Sequence, residues 1–305
     1  MTNNSDYHIP VMLEECLNAL DIRRDGIYVD VTFGGGGHSS EIFKKLNQHG
    51  RLIVFDQDPD ARKNAWEAPN FSFIAANFAY IANHLRLIGV DKVDGVLADL
   101  GVSSHQFDEQ ERGFSIRGEA SLDMRMNQSG ELTAADVIND YDENALLYMF
   151  RNYGEIPNAR RLVNAIVSAR LNGKIKTTQK LLDVVTPCAP KFKEHKYFAQ
   201  VFQAVRIEVN NEMGVLEDFL KATESVLKPR GRLVVMSYHS LEDRMVKNYM
   251  KRGSIDGKLK KDFFGNVLKP FNEVTRKPIV ASEGEIEMNS RARSAKLRIA
   301  ERNGE

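Results

Sequence analysis

The chain has 305 residues, of which 42% are hydrophobic, and its 42 Lys and Arg residues balance 42 Asp and Glu residues. That length accommodates one large domain or two ordinary ones, and the charge balance means that any affinity for nucleic acid must come from local patches. Only Cys16 and Cys188 are present, which excludes a disulfide framework and is typical of a reducing cytosol. No stretch approaches the ~18–20 apolar residues of a membrane span, and no signal peptide is visible. The sequence therefore predicts a cytoplasmic protein with no membrane partner.

A short helix is predicted over residues 8–20, and the segment that follows at residues 27–40 reads IYVDVTFGGGGHSS. Residues 27–31 have the largely β-branched, apolar character of a buried strand, and residues 38–46 have helical character. Four glycines lie between them. Backbone N–H groups at the start of such a helix face a ligand, and glycine permits both close approach and positive φ. The segment therefore predicts a ligand-binding turn.

Two classes of cofactor are bound by a strand, a glycine turn and a helix, and the spacing separates them. The dinucleotide fingerprint is G-x-G-x-x-G, and here Ser39 or Ser40 stands in place of the third glycine in either register. Asp30 lies instead at the end of the strand, where a carboxylate suits an amino-acid ammonium group and would repel a pyrophosphate. This arrangement resembles the first motif of S-adenosylmethionine-dependent methyltransferases and predicts a contact between Asp30 and the cofactor. A plain tight turn is the alternative interpretation of the glycines.

Further strands are predicted at residues 52–55, 71–75 and 93–98, and helical segments alternate with them. The resulting β-α-β-α-β-α-β pattern predicts an α/β fold with a doubly wound, Rossmann-like parallel sheet. Ligands of such sheets bind at the carboxyl ends of the strands. Four candidate binding residues are expected at that edge: Asp30, Asp56, Phe78 and Asp99.

Individually, these residues leave alternatives open. Asp56 lies about 20 residues beyond the glycine turn, where a carboxylate takes ribose hydroxyls, which supports an adenosine-containing ligand without choosing one. A helix cap, which Asp58 would serve equally well, is the alternative. Phe78 is expected either to flank an adenine or to join the core. His239, after a strand predicted at residues 232–237, is a weaker acid–base candidate.

After residue 106 the alternation of strands and helices gives way to a loop and then to helices alone. The sequence therefore predicts a helical insertion at residues 107–210 within a sheet domain formed by residues 1–106 and 211–305. Residues 151–206 contain eleven Lys and Arg against three acids. Such a local excess is expected for phosphate binding, and a solvated helix face is the other interpretation.

Seven segments carry a resemblance to a known family. They are VDVTFGGGGHS (29–39), ADLGVSSHQ (98–106), RGFS (112–115), LDMRM (122–126), FQAVRIEVN (202–210), SYHSLEDR (237–244) and RARSAKLR (291–298). Together they are similar to the bacterial small-subunit ribosomal RNA cytosine-N4 methyltransferases, the RsmH (MraW) family, over nearly the whole chain. The resemblance implies a class I methyltransferase fold with S-adenosylmethionine as the methyl donor. It also implies methylation of the exocyclic amine of one cytidine in the decoding region of 16S rRNA.

Carried over by position, the resemblance implies a set of cofactor-binding residues and no metal. The set is Gly36, Gly37, His38, Asp56, Phe78, Asp99 and Gln106. The sheet domain is then the methyltransferase domain, and the insertion is the domain that recognises rRNA. The implied partner is 16S rRNA, within the 30S subunit, and both a monomer and a homodimer stay open.

The proposed chemistry needs an acceptor for the protons of the cytosine amine, whose lone pair is delocalised into the ring. Many amino-methyltransferases carry an Asp/Asn-Pro-Pro-aromatic motif after the fourth strand, and this chain has Asp99-Leu100-Gly101-Val102 there. Asp99, or a nearby backbone carbonyl, is therefore the predicted acceptor. Two other classes stay open: an NAD-dependent oxidoreductase, which the missing third glycine disfavours, and a non-catalytic rRNA-binding assembly factor.

Overall fold

The structure is a computed structural model that describes residues 10–103, 106, 109–259 and 261–304. The chain divides into two compact units. The first is formed by Met1–Gly101 and Met213–Glu305, and the second by Val102–Glu212. The sequence analysis placed these divisions after residues 106 and 210, a few residues away at each end.

Eight strands form one sheet in the described part of the first unit. They are β1 (Ile27–Asp30), β2 (Arg51–Asp56), β3 (Phe71–Ala75), β4 (Val93–Asp99), β5 (Leu227–Ser237), β6 (Phe271–Glu273), β7 (Ile279–Val280) and β8 (Lys296–Arg302). Their order is β3-β2-β1-β4-β5-β8-β6, with β7 also paired to β8. Strands β1 to β5 are parallel, and β8 runs antiparallel to its three neighbours. The reversal of strand order between β1 and β4 confirms the predicted doubly wound, Rossmann-like sheet.

Eleven α-helices have both ends within the described residues. They are α1 (Leu13–Leu20), α2 (Gly37–Lys45), α3 (Ile81–Leu87), α4 (Ala134–Asp140), α5 (Glu143–Asn152), α6 (Ala159–Leu171), α7 (Thr178–Val185), α8 (Glu194–Asn210), α9 (Glu212–Val226), α10 (Ser240–Arg252) and α11 (Glu283–Met288). The helix predicted over residues 8–20 begins at Leu13, and residues 8 and 9 lie outside the described part of the chain. None of these helices is long and apolar enough to cross a membrane.

Apolar side chains cover both faces of the sheet, because successive residues of a strand point to opposite sides. Val29, Ile53 and Val96 belong to a buried cluster with apolar residues of α3, α9 and α10. Leu52 and Leu97, which are chain neighbours of Ile53 and Val96, belong to a second cluster with residues of α1 and α2. Burial on both faces explains the nearly continuous apolar runs that made these strands predictable.

Strand β5 is longer than the predicted 232–237, since it begins at Leu227. Its pairing with β4 shifts register between Val93↔Leu227 and Gly95↔Arg232, so residues 228–231 form an irregularity within the strand. Arg230 has a φ of 64° at this point. Beyond the irregularity, β5 runs in register with β4 to the edge of the sheet where the candidate site lies.

The second unit is a helical cluster with its own core, formed by apolar residues of α4 to α8. Helix α4 begins directly after Thr133, which forms a reciprocal capping box with Asp136. Thr177 caps α7 by accepting a hydrogen bond from the Lys180 N–H at 3.2 Å. Asn210, at the end of α8, fixes the loop that precedes α4. Its side chain accepts a hydrogen bond from the Met126 N–H and donates one to the Met124 carbonyl oxygen.

Candidate active site

The four glycines after β1 differ in backbone conformation and in the space that surrounds them. Gly34 and Gly36 have φ values of 50° and 77°, and Gly36 occupies the cap position of α2. A Cβ on Gly37 would lie 2.4 Å from Pro10 Cγ, so this glycine permits close packing of the preceding segment. A Cβ on Gly35, in contrast, would have no protein heavy atom within 4 Å. The turn therefore leaves open space beside its backbone, as binding of a ligand there requires.

Asp30 connects the elements that meet at this turn. The carboxylate is buried, and its Oδ2 accepts a hydrogen bond from the Ser39 hydroxyl at 2.6 Å. Oδ1 accepts from the Thr32 N–H at 3.0 Å, and the Thr32 hydroxyl oxygen accepts from the Asp99 N–H at 2.7 Å. Asp30 thus holds the ends of β1 and β4 to the start of α2. Its direct contact with a cofactor stays a prediction.

Asp56 is positioned by two backbone donors. Its Oδ2 accepts from the Gly34 N–H at 2.8 Å, and its Oδ1 accepts from the Asp58 N–H at 2.8 Å. Burial raises the pKa of Asp56 to about 6, against the effect of these two hydrogen bonds. The carboxylate is therefore fixed directly beside the glycine turn, and the segment after it forms only a short 3₁₀ helix at Ala61–Asn64.

Asp99, at the end of β4, has two unlike carboxylate oxygens. Oδ1 accepts a hydrogen bond from the Tyr238 hydroxyl at 2.7 Å. Oδ2 lies 3.8 Å from His38 Nδ1, beyond hydrogen-bonding distance, while His38 Nε2 lies 3.1 Å from the Val11 carbonyl oxygen. No hydrogen bond to Oδ2 forms within the described part of the chain.

Burial dominates the electrostatics of Asp99, although 24% of its side-chain surface reaches solvent. Burial raises the pKa of the Asp99 carboxyl to about 6, and His38 and the Tyr238 hydroxyl act in the opposite direction. Burial also raises the pKa of Tyr238 well above its ordinary value, so this hydroxyl stays a hydrogen-bond donor. Asp99 is consequently ionised at neutral pH but is a stronger base than an ordinary aspartate.

Tyr238 was not among the predicted site residues, although it immediately follows β5 at the same edge of the sheet. The sequence analysis considered its neighbour His239, which has a structural role at the start of α10. His239 Nδ1 accepts from the Glu242 N–H at 3.4 Å, and Glu242 Oε2 accepts from the His239 N–H at 3.3 Å and also from the Tyr238 N–H at 2.9 Å. This capping box fixes the backbone from which Tyr238 reaches Asp99.

The structure also describes contacts of two further predicted cofactor residues, Phe78 and Gln106. Phe78 is half-buried after β3 and packs edge-on against Phe219, with ring centroids 5.3 Å apart. Gln106 belongs to the second unit, where its Oε1 accepts from the Ser103 N–H at 3.1 Å. The contacts of both residues with a cofactor stay predictions.

Most of the basic side chains at residues 151–206 are exposed. Those classed as exposed are Arg151, Arg160, Arg161, Lys174, Lys176, Lys180, Lys191, Lys193 and Lys196. Arg206 instead forms a bidentate pair with Glu212, with N–O distances of 2.7 and 2.8 Å. Arg170 donates to the carbonyl oxygens of Ile138 and Tyr141. The exposed remainder still outnumbers the three acids of the same segment.

The strand order of the sheet and the glycine turn after β1, with carboxylates at the ends of β2 and β4, are those of a class I methyltransferase. The MraW methylase family matches residues 5–303, and the chain belongs to that family.

A protein of Parabacteroides distasonis named ribosomal RNA small subunit methyltransferase H is 55% identical over 300 residues, which are 98% of each chain. The protein of the same name from Bacteroides thetaiotaomicron is 54% identical over 296 residues, 97% of each chain. A solved structure of an rRNA methylase from Streptococcus thermophilus is 10% identical, covers 99% of each chain and has a TM-score of 0.39.

Proposed function

We propose that this protein transfers a methyl group from S-adenosylmethionine to the exocyclic N4 amine of a specific cytidine in the decoding region of 16S rRNA. The observation that carries the proposal is Asp99, a carboxylate at the carboxyl edge of the sheet with one oxygen held by Tyr238 and the other without a hydrogen bond from the described residues. Membership of the methylase family, and relatives named as small-subunit rRNA methyltransferases, support the same reaction.

The residues at the glycine turn fit an S-adenosylmethionine molecule, which would supply the methyl group. The open space beside Gly35 admits a ligand against the backbone. Asp56 already has its carboxylate fixed by the Gly34 and Asp58 N–H groups, so that it is ready to accept hydrogen bonds from ribose hydroxyls. Phe78 would flank the adenine, and Asp30 would hold the turn in shape. No metal takes part in this proposal.

Asp99 would accept a hydrogen bond from the cytosine amine through Oδ2. As the N4–methyl bond forms and the bond between the methyl group and the sulfonium sulfur breaks, the nitrogen gains positive character and its hydrogen becomes acidic. Asp99 would then take that proton. The pKa of about 6 suits this role, because the carboxylate is ionised at neutral pH yet accepts a proton more readily than an ordinary aspartate. Tyr238 would keep the carboxylate oriented through the other oxygen.

The second unit would recognise the rRNA, with the insertion at residues 107–210 as its binding domain. The nine exposed basic side chains between residues 151 and 206 supply charge for phosphate contacts. Selection of a single cytidine in a long RNA depends on the folded shape of the RNA as well as on its base sequence. This favours the 30S subunit, in which the rRNA is folded, as the substrate. That substrate would place the reaction in the cytoplasm.

The test is transfer of labelled methyl groups from S-adenosylmethionine to 30S particles isolated from cells that lack this gene. Intact 30S particles serve as the control, and the modified nucleoside is identified by its mass. We expect N4-methylcytidine in the deficient particles alone. Cofactor binding by calorimetry without any labelled product would contradict the proposal and would favour an assembly factor that binds rRNA without modifying it.

A further inference from the structure

A hairpin of the first unit presents two phenylalanines that the site described above does not use. The segment, residues 258–269, reads KLKKDFFGNVLK and is named here the Phe-Phe hairpin. Phe263 is 98% exposed and Phe264 is 86% exposed. Adjacent aromatic rings with this exposure contribute no buried apolar surface to the stability of the fold. Such rings mark an interaction site more often than a structural one.

The tip of the Phe-Phe hairpin is fixed by Asp262. Its Oδ1 accepts hydrogen bonds from the N–H groups of Phe264 and Asn266, at 2.9 and 2.8 Å. Its Oδ2 accepts from the Asn266 side-chain amide at 2.9 Å, and its N–H donates to the Asn266 carbonyl. Gly265 supplies the positive φ, 87°, that the turn requires. The two rings are therefore held outward by a defined turn.

The two rings cannot form one flat apolar cap. Their centroids are 5.8 Å apart and their planes meet at 87°, an edge-to-face arrangement. This geometry leaves ring faces open to solvent in different directions. Open aromatic faces bind flat partners by stacking, and each nucleic-acid base offers such a face whatever its sequence.

The charge of the hairpin has the sign that a nucleic acid requires. Its sequence contains four lysines and one acid, Asp262, whose carboxylate accepts hydrogen bonds within the turn. Lys258 and Lys261 are exposed, and Lys258 Nζ lies 3.2 Å from the exposed Asp256. Lysines that flank exposed aromatic rings in the sequence combine phosphate attraction with base stacking, as single-stranded nucleic-acid sites do.

We propose that the Phe-Phe hairpin is an RNA-binding element that stacks unpaired bases of the substrate on Phe263 and Phe264 while its lysines contact neighbouring phosphates. The proposal rests on the proposed function, because the RNA concerned is the rRNA of the methyl-transfer reaction. The hairpin belongs to the same unit as Asp99, so the sheet domain would hold the substrate RNA itself and would not leave this entirely to the insertion.

Three double variants test the role of the rings in the full-length protein: F263A/F264A, F263L/F264L and F263W/F264W. The control is L87A, which removes a side chain that is 80% exposed on α3 of the same unit. The measurements are kcat and KM for methyl transfer to deficient 30S particles, with the affinity for S-adenosylmethionine as the check on folding. We expect the alanine and leucine variants to raise KM about 10- to 100-fold with little change in kcat, since each ring stacks a base. The tryptophan variant and the control are expected to keep the KM of the wild-type protein.

Three results would overturn the proposal. An unchanged KM in the alanine variant would exclude the hairpin from substrate binding. Full rescue by leucine would show a general apolar contact in place of stacking. Wild-type flotation with vesicles of phosphatidylethanolamine and phosphatidylglycerol, lost in the alanine variant while KM is unchanged, would make the hairpin a lipid-binding element. A wild-type protein that methylates no 30S particle would contradict the proposed function instead, so the two failures are distinguishable.

Discussion

Strand β4 carries two aspartates five positions apart whose surroundings differ in almost every respect. Asp94, near the amino end of the strand, accepts hydrogen bonds from the Ile27 N–H, from Lys228 and from Arg23. Asp99, at the carboxyl end, accepts from one neutral hydroxyl, that of Tyr238. Burial raises the pKa of both carboxyls, yet that of Asp94 ends below its ordinary value because its donors outweigh burial, and that of Asp99 ends at about 6.

This difference separates a carboxylate that stabilises the fold from one that is available for chemistry. The charge of Asp94 is compensated by two cations and a backbone donor, which leaves no lone pair in need of a ligand. The charge of Asp99 is desolvated and incompletely compensated, a state that costs stability and is found mostly at functional sites. The two aspartates should therefore respond in opposite ways to the same substitution.

The largest expected effect is on catalysis, from Asp99→Asn. Asparagine keeps an oxygen for the Tyr238 hydroxyl but places an amide donor where Oδ2 would accept from the cytosine amine. We expect kcat at saturating S-adenosylmethionine to fall at least about 100-fold, the usual scale for the loss of a general base. Asp94→Asn, the matched control, should retain the wild-type kcat. Full turnover by the Asp99 variant would contradict the acceptor role.

The same two variants should shift stability in opposite directions at pH 7.5. Asp94→Asn removes charge-assisted hydrogen bonds and is expected to lower the free energy of unfolding by about 2 kcal/mol. Asp99→Asn removes a desolvated charge, and a pKa of about 6 in place of 3.8 implies a gain of at most about 3 kcal/mol.

The stability effects of the two variants should depend on pH. The raised pKa of Asp99 costs stability above pH 6 and costs nothing below its unfolded value, so the advantage of Asp99→Asn should vanish near pH 4. The lowered pKa of Asp94 contributes stability above its unfolded value, and that contribution is lost as the pH falls through its folded value. Denaturant titrations at several pH values measure both, and equal signs for the two variants would refute the comparison.

The sequence was sufficient for much of this architecture because several local signals agreed. Strands β1 to β4 are apolar on both faces, and the glycine run marks a turn in which positive φ and close packing are both required. The carboxyl ends of parallel strands lie at one edge of a sheet, so the sequence alone predicts that Asp30, Asp56 and Asp99 lie at the same edge. The resemblance added the family, which the comparison with relatives confirms.

What the sequence did not indicate depends on tertiary partners. The role of Tyr238 is set by the Glu242 capping box and by the neighbouring strand end, neither of which has a local pattern. Asp30 was predicted to contact ligand, and its two oxygens are used by Ser39 and Thr32. Arg206 was counted in the basic excess of residues 151–206, but its guanidinium is paired with Glu212. Ion pairs and hydrogen bonds between residues that are distant in the sequence depend on tertiary packing. The local pattern of apolar and polar residues does not specify them.

Asp56 is a third carboxylate whose pKa can be tested, and the expected effect is a smaller one, on the affinity for S-adenosylmethionine. Its pKa of about 6 means that it gains a proton as the pH falls through that value, and a protonated carboxyl accepts hydrogen bonds from ribose hydroxyls less well. We expect the Kd for S-adenosylmethionine to rise about tenfold between pH 7.5 and pH 5, in line with the loss of the ionised form. Calorimetry on the Asp99→Asn variant isolates Asp56 from the second titrating carboxyl, and a pH-independent Kd there would exclude the ribose contact.

The smallest expected effect, and the most specific one, comes from Tyr238→Phe. This variant removes the Tyr238 hydroxyl that donates a hydrogen bond to Asp99. The negative charge of Asp99 would then be even less compensated, in contrast to that of Asp94. Because that hydrogen bond holds the pKa of Asp99 down, its loss should raise the pKa above 6 and shift the acid limb of the kcat profile upward by about one pH unit. Turnover of the variant would then fall several-fold below that of the wild type at pH 6. At pH 8.5 it would stay within about twofold, because Asp99 is ionised there in both proteins. Tyr80→Phe, at a tyrosine that is 58% exposed, is the control and should leave the profile in place. A uniform loss of kcat at every pH would mean that Tyr238 orients Asp99 without setting its proton affinity.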